Sequence, residues 1–239
     1  MTEQKTSGES FTLRKEIKYI VPLEKALILK SRLDNSLPRD EHCSDGAYSV
    51  RSLYFDSIEN VDFAEKFAGI EKRKKIRVRI YNNVTSTCKL ELKQKNGDWQ
   101  QKHSFIISAN DVSELAFGNY SVLTRYFHSV DVSRKVFSTM TLGQYNPVVQ
   151  IEYDRLAYRY PMYDTRITLD MNIRSSETNM DIFASNIHYI PIMRENVVLE
   201  IKYSGKLMGF ISAMLTQFNL TQSSCSKYCL GRKIYYDFN

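Results

Sequence analysis

Lys75-Ile76-Arg77-Val78-Arg79-Ile80 alternates a cation with an aliphatic residue for six positions. Side chains of a strand point to opposite faces in turn, so this stretch carries an ionic stripe on one side and an aliphatic stripe on the other. The same pattern returns in Arg14-Lys15-Glu16-Ile17-Lys18-Tyr19, Lys89-Leu90-Glu91-Leu92-Lys93, Arg166-Ile167-Thr168-Leu169-Asp170 and Leu199-Glu200-Ile201-Lys202-Tyr203. A solvated antiparallel sheet with cross-strand ion pairs shows such alternation too. A solvated sheet would also use Thr, Ser and Gln freely, and here Arg, Lys and Glu share the stripes. The set therefore reads as a polar interior: a barrel with charges in its lumen and aliphatic stripes turned toward outer helices.

Coarse elements follow from periodicity and turn chemistry. Strands are expected over Phe11–Val21, Tyr48–Asp56, Lys74–Tyr81, Pro147–Tyr158, Arg166–Arg174 and Val197–Tyr203. Lys89–Lys95 and Trp99–Ile107 pair across Asn96-Gly97, a strong hairpin signal. Helices are expected over Leu23–Leu37 behind Pro22, Ile58–Gly69 capped by Ser57, Ser108–Phe117 capped by Asn110, and Leu207–Phe218, with an interrupted helix over Tyr120–Thr141. The end, from Ser226-Lys227-Tyr228 onward, reads as a basic, aromatic tail. The pattern predicts an α+β fold: an antiparallel eight-stranded β-tunnel with a charged lumen and helices outside. Residues 1–10 read as a disordered tail and residues 11–239 as one domain, since no Ser/Gly-rich linker divides the chain.

Composition narrows the chemistry. The chain has 239 residues, net charge +6 and 43% hydrophobic residues, with a pI near 9.0. Such basicity suits nucleic acid, anionic membranes or phosphorylated ligands. No secretory signal opens the sequence and no run of about 18 apolar residues crosses a bilayer. A cytoplasmic location is expected, with a membrane-protein partner left open. Cys43, Cys88, Cys225 and Cys229 lack zinc-site spacing and read as reduced thiols. Walker A, G-x-G-x-x-G and G-x-S-x-G motifs are absent, so phosphate binding must rely on side chains. The aromatics, 12% of residues, are scattered and form no nucleic-acid platform.

Taken as a set, the ionic rows hold more cations than carboxylates. Arg grips phosphate through a planar fork and Lys through a point charge, so a lumen of both can hold a row of phosphates. The minority carboxylates suit Mg²⁺ or Mn²⁺, which take oxygen ligands and bridge phosphate oxygens.

These blocks, with Ser52-Leu53-Tyr54-Phe55-Asp56-Ser57, Tyr153-Asp154-Arg155 and Ser226-Lys227-Tyr228, stand in an order and spacing that resembles the VTC domain. That is the polyphosphate-polymerase domain of the vacuolar transporter chaperone complex and its bacterial relatives, within the triphosphate tunnel metalloenzyme (CYTH-like) superfamily. The resemblance runs from Phe11 to about Tyr228. It implies that ATP supplies phosphate to a growing inorganic polyphosphate chain in the tunnel, with Mn²⁺ or Mg²⁺. It assigns phosphate contacts to Lys18, Arg77, Arg79, Arg155, Arg166 and Lys227 as the catalytic set. Lys93, Lys102, Tyr153, Lys202, Ser226 and Arg14 would assist in substrate binding. Glu200 is the first metal candidate, with Glu16 and Glu91 behind it. Hydrolytic members of the superfamily often begin with Glu-x-Glu-x-Lys. Here Arg14 replaces the first carboxylate, in Arg14-x-Glu16-x-Lys18, which favours phosphotransfer over hydrolysis. A tripolyphosphatase and a non-catalytic polyphosphate- or inositol-phosphate-binding module remain the alternatives.

Overall fold

The computed structural model describes residues 14–43, 46–84, 86–97 and 99–236. The expected tail and the first three residues of the expected opening strand lie outside them. Among the described residues the chain runs β1 (Arg14–Pro22), α1 (Leu23–Ser36), β2 (Tyr48–Asp56), α2 (Val61–Phe67), β3 (Arg73–Tyr81), β4 (Cys88–Asn96), β5 (Trp99–Ile107) and α3 (Ala109–Ala116). It continues through α4 (Asp131–Gly143), β6 (Asn146–Tyr160), β7 (Thr165–Ser176), β8 (Ile190–Pro191), β9 (Asn196–Ser204), α5 (Gly209–Thr216) and α6 (Lys227–Tyr236).

The main strands form one antiparallel sheet in the order β1-β9-β7-β6-β2-β3-β4-β5, with the two-residue β8 pairing to β7 beyond the reach of β9. Register carries the ionic rows from strand to strand. Lys18 lies opposite Glu200, Glu200 opposite Thr168, Asp170 opposite Arg155, Arg155 opposite Tyr48, Tyr54 opposite Arg77 and Arg77 opposite Glu91. Directly opposed residues share a face, so these side chains all turn to one side. The sheet curls around that side into a half-barrel, the tunnel fold expected. Its ends, β1 and β5, are joined by no backbone ladder; instead Lys93 of β4 reaches Glu16 of β1 across the gap at 3.5 Å.

The convex face buries two apolar layers. Leu53, Ile76, Val78, Ile80, Leu90 and Leu92 pack beneath Val112 and Leu115 of α3 and Val136 and Met140 of α4. Ile167, Leu169, Leu199 and Ile201 pack beneath Leu29 and Leu33 of α1 and Ile211 of α5. Each fully buried aliphatic side chain contributes about 1.5–3 kcal/mol, so these layers hold the curl while the inner face stays polar.

Local chemistry shifted several boundaries. Asn60, with φ 56°, is the N-cap of α2 in place of Ser57, yet Ser57 Oγ accepts the Val61 N–H at 3.0 Å and the Asp56 carboxylate accepts those of Asp62 and Phe63. Ser108, not Asn110, caps α3 by accepting the Asp111 N–H at 3.1 Å. The interrupted helix expected over Tyr120–Thr141 is a 3-10 turn (Tyr120–Tyr126) followed by α4. The largest correction is at the C-terminal end, where the expected tail forms α6 and packs on the concave face. A Cβ at Gly231 would meet Ile151 Cδ1 at 3.0 Å and Ser175 Cβ at 3.2 Å, so this close approach favours glycine.

Candidate functional site

The concave face and α6 enclose a cavity of about 550 Å³. Eleven of the residues expected in the site line it: Glu16, Lys18, Arg77, Arg79, Lys93, Tyr153, Arg155, Glu200, Lys202, Ser226 and Lys227. Each comes from an alternate strand position or from the start of α6, so the strand period put them there.

Three charge groups share the wall. On β1 and β9, Lys18 Nζ lies 2.7 Å from Glu16 and 3.8 Å from Glu200, and Lys202 Nζ lies 2.6 Å from Glu200 and 3.8 Å from Glu16. On β6 and β7, Arg155 binds Asp170 through two bonds of 2.6 and 2.8 Å, and Lys227 Nζ meets the same carboxylate at 2.6 Å. On β3 and β4, Glu91 accepts from Arg77 Nε at 2.6 Å, meets Lys102 Nζ at 2.6 Å and lies 4.0 Å from Arg79. Tyr54 Oη accepts from Arg77 at 2.9 Å, and its ring stacks on Tyr228 with centroids 5.1 Å apart. Arg79 donates to Ser52 Oγ at 3.2 Å and to Tyr153 Oη at 3.4 Å.

Burial and crowding set the protonation of these groups. Burial opposes ionisation of Glu200, but Lys202, Lys18, Arg155 and Lys227 hold its carboxyl well below the ordinary value. Burial and Glu200 both push Glu16 upward; Lys18, Lys93 and Lys202 outweigh them and keep it low. Asp170 is held near 2 against its burial by Arg155 and Lys227. Two lysines of the wall are lowered instead, one of them, Lys93, in spite of Glu16 at 3.5 Å. Burial, with Lys66 and Lys18 adding to it, brings Lys75 down to about 8. Burial, aided by Lys18 and Lys202, does the same to Lys93, also to about 8. The tunnel therefore holds cations strained by desolvation, which an entering polyanion would relieve.

The remaining expected site residues stand apart from this cavity. Arg166 is on the same sheet face but farther along it, engaged by Asp40 at 3.2 Å and the Tyr48 hydroxyl at 3.2 Å. Lys102 and Glu91 lie outside the cavity lining, where Glu91 pairs with both Lys102 and Arg77. Arg14 opposes Ser204 through the backbone of β1, and its side chain lies outside the described residues. Among the metal candidates, Glu16 and Glu200 share two lysines, whereas Glu91 belongs to the Arg77 group. No cluster of three or more metal-ligating side chains occurs among the described residues. Mg²⁺ and Mn²⁺ are commonly held by one or two carboxylates plus phosphate oxygens, so Glu16 with Glu200 fits such an ion without a third protein ligand.

Sequence reasoning left out Asp170, Tyr54, Lys75, Tyr228 and the segment Gln222–Cys225. Asp170 and Lys75 had the correct row parity, and Tyr54 alternates with Ser52 on β2. Gln222 and Ser223 gave no signal; they are placed by an isolated bridge from Gln222 to Tyr19 and by the Ser223 N–H bond to Lys18 O at 2.8 Å.

Fold and site together define an antiparallel tunnel with a cationic, carboxylate-bearing inner wall. The VTC domain profile matches residues 13–236, and the chain belongs to the VTC domain family. A candidate adenylate cyclase from Bacillus halodurans is similar in structure, with TM-score 0.53 and 15% identity, covering 90% of this chain and 93% of that one. Another from Vibrio parahaemolyticus has TM-score 0.50 and 11% identity, covering 92% and 98%. These likenesses show the fold. No curated protein matches the sequence. Family and tunnel fold support a phosphate-related function.

Proposed function

We propose that this chain is an ATP-dependent polyphosphate polymerase, transferring the γ-phosphate of ATP to a growing inorganic polyphosphate chain. The observation that carries the reading is a tunnel wall where Lys18, Lys75, Arg77, Arg79, Lys93, Arg155, Lys202 and Lys227 face one cavity with, among the described residues, two lining carboxylates, Glu16 and Glu200. Such a wall can hold several consecutive phosphates in line. Glu16 and Glu200 would hold Mn²⁺ or Mg²⁺, which supplies charge neutralisation at the phosphate oxygens.

In the proposed reaction a terminal phosphate oxygen of the acceptor attacks the γ-phosphorus. An O–P bond forms, the bond from the γ-phosphorus to the β–γ bridging oxygen breaks, and ADP leaves. The protein contributes alignment and electrostatics and no covalent nucleophile. Arg155, fixed by two bonds to Asp170, presents its remaining donors to the lumen. Arg77, fixed by Glu91, and Arg79, fixed by Ser52, do the same from β3. Arg14 in place of a carboxylate leaves the first strand with fewer groups to orient a hydrolytic water, which favours transfer.

The test is incubation of the purified chain with ATP and Mn²⁺, with products resolved on a gel stained for polyphosphate. Chains that lengthen with ADP release, and vanish in Glu200→Ala, support the polymerase. Orthophosphate alone would replace it with a tunnel hydrolase. Binding of ATP or polyphosphate without turnover would replace it with a binding module.

A further inference from the structure

The cavity lining reaches one end of the sheet, at Arg73 and Lys74 after the α2–β3 turn and at Gln94, Lys95 and Gln100 of the β4–β5 hairpin. Arg73 at the start of β3 lies opposite Lys95 of β4, and Asn96 opposite Trp99 of β5, so both connections finish at the same edge. Arg73 also donates to the carbonyl of Ile70, which ties the turn to that edge. Three large apolar side chains stand in solvent here: Phe67 is 70% exposed, Trp99 65% and Ile70 48%. Residues Phe67 to Lys72 are exposed without interruption.

Around them lie Lys66, Lys72, Arg73, Lys74 and Lys95. Of these, Lys66, Arg73, Lys74 and Lys95 also line the cavity mouth. Lys74 is matched by Asp62 at 3.1 Å. Glu65 and Glu71 are the other acids of the α2–β3 segment, so among the described residues five cations stand against three carboxylates on the rim. Phe117 and Leu142 are still more exposed, at 92% and 84%, but their sequence neighbours are uncharged. Leu23, Leu27 and Ile28 of α1 are exposed beside Lys25, Lys30 and Arg32 as well; the rim differs in that four of its cations also line the cavity.

We propose that this rim docks directly on an anionic lipid bilayer, holding the tunnel mouth against the membrane surface. Separate side chains at a turn and a hairpin stand in solvent as projections. Projections of Phe, Trp and Ile suit the headgroup–acyl boundary, and neighbouring Lys and Arg add attraction to anionic headgroups within a Debye length. The contact requires no turnover and does not depend on which phosphate reaction the tunnel performs.

The chain has one tryptophan, Trp99, so its fluorescence reports the rim directly. Vesicles containing about a third phosphatidylglycerol in phosphatidylcholine, a surface charge that attracts polybasic segments, should shift Trp99 emission to the blue; pure phosphatidylcholine should not. In flotation with the same vesicles, the triple variant Phe67→Ser, Ile70→Ser, Trp99→Ser should lose at least about tenfold in bound fraction, since interfacial binding scales with buried apolar area. Its thermal shift with tripolyphosphate should stay unchanged, showing that fold and lumen are intact. No emission shift with anionic vesicles overturns the proposal even if the variant fails to fold. Vesicle binding that tripolyphosphate abolishes and the triple variant retains would also overturn it, assigning the contact to the lumen. Loss of a dimer in the variant, with no vesicle binding by the parent chain, would overturn it in favour of contact between copies.

Discussion

Raising the pH from 7 to 9 should sharply weaken anion binding in the tunnel. Burial lowers Lys75 and Lys93 to about 8 each. Both are charged in about 80% of molecules at pH 7 and in about 1% at pH 9, from the two titrations taken as independent. If a polyphosphate needs both charged, its apparent affinity falls about a hundredfold across that range. Tyr54 acts in the same direction. Burial opposes its ionisation, but Arg77, Arg79 and Lys75 bring it to about 8, so a phenolate joins the lumen as the lysines discharge. The ligand itself gains negative charge with pH, which works the other way and makes a fall in affinity diagnostic. Calorimetry with tripolyphosphate, in buffers of different ionisation enthalpy, should show uptake of about one proton per binding event at pH 8, half from each lysine. Lys75→Met with Lys93→Met should bind weakly at every pH and lose most of the slope. Affinity that stays level or rises from pH 7 to 9 in the parent chain would refute the account of the tunnel as a desolvated cation site. The same shifts fix the sign for stability. A lysine lowered in the folded state costs stability below pH 8, and that cost is relieved as pH rises toward the unfolded value of about 10.4.

Other perturbations separate positioning from binding. Glu91→Gln should free Arg77 and Lys102 from their counter-ion and tighten tripolyphosphate binding several-fold, measured by calorimetry; weaker binding would mean that Glu91 orients the arginine productively. Asp170→Asn leaves Arg155 and Lys227 buried without an anion and should destabilise the free protein by about 3 kcal/mol, the cost of breaking a buried pair. Added tripolyphosphate should then raise its melting temperature more than it raises that of the parent chain. Arg77→Ala and Arg155→Ala should each abolish most polymerisation on the stained gel while retaining far-UV circular dichroism; normal chain synthesis in either would remove that arginine from the site. Gly231→Leu should lower the melting temperature by forcing α6 away from Ile151 and Ser175, and an unchanged melt would contradict the close packing described.

Much of the sheet was legible because the strand period is short and its consequences are local. The alternation in Lys75–Ile80 fixed which residues of β3 turn inward, and parity did the same for Glu16, Lys18, Lys93, Glu200 and Lys202. Asn96-Gly97 marked the hairpin, though Asn96 closes β4 opposite Trp99 and the turn begins at Gly97, with φ 57°. Parity names a face, however, and says nothing of distance along it. That is why Arg166 was grouped with the cavity though Asp40 and Tyr48 engage it farther along the face, and why Glu91 was grouped with Glu16 and Glu200.

What the sequence alone determined is the inner face: its charge, its alternate positions and the excess of cations over carboxylates. The tertiary structure decided which charges meet. Lys93 finds Glu16 only because the sheet curls until β4 and β1 face each other, and Arg155 and Lys227, from β6 and α6, meet on Asp170 of β7. Tyr54 and Tyr228, 174 positions apart in the sequence, stack only because α6 returns to the concave side. Its docking rests on the Tyr228 hydroxyl reaching Asp56 and on the space left at Gly231. Periodicity records the interactions of a residue with its own strand, whereas curl and helix docking arise from packing between distant segments, which no local pattern encodes.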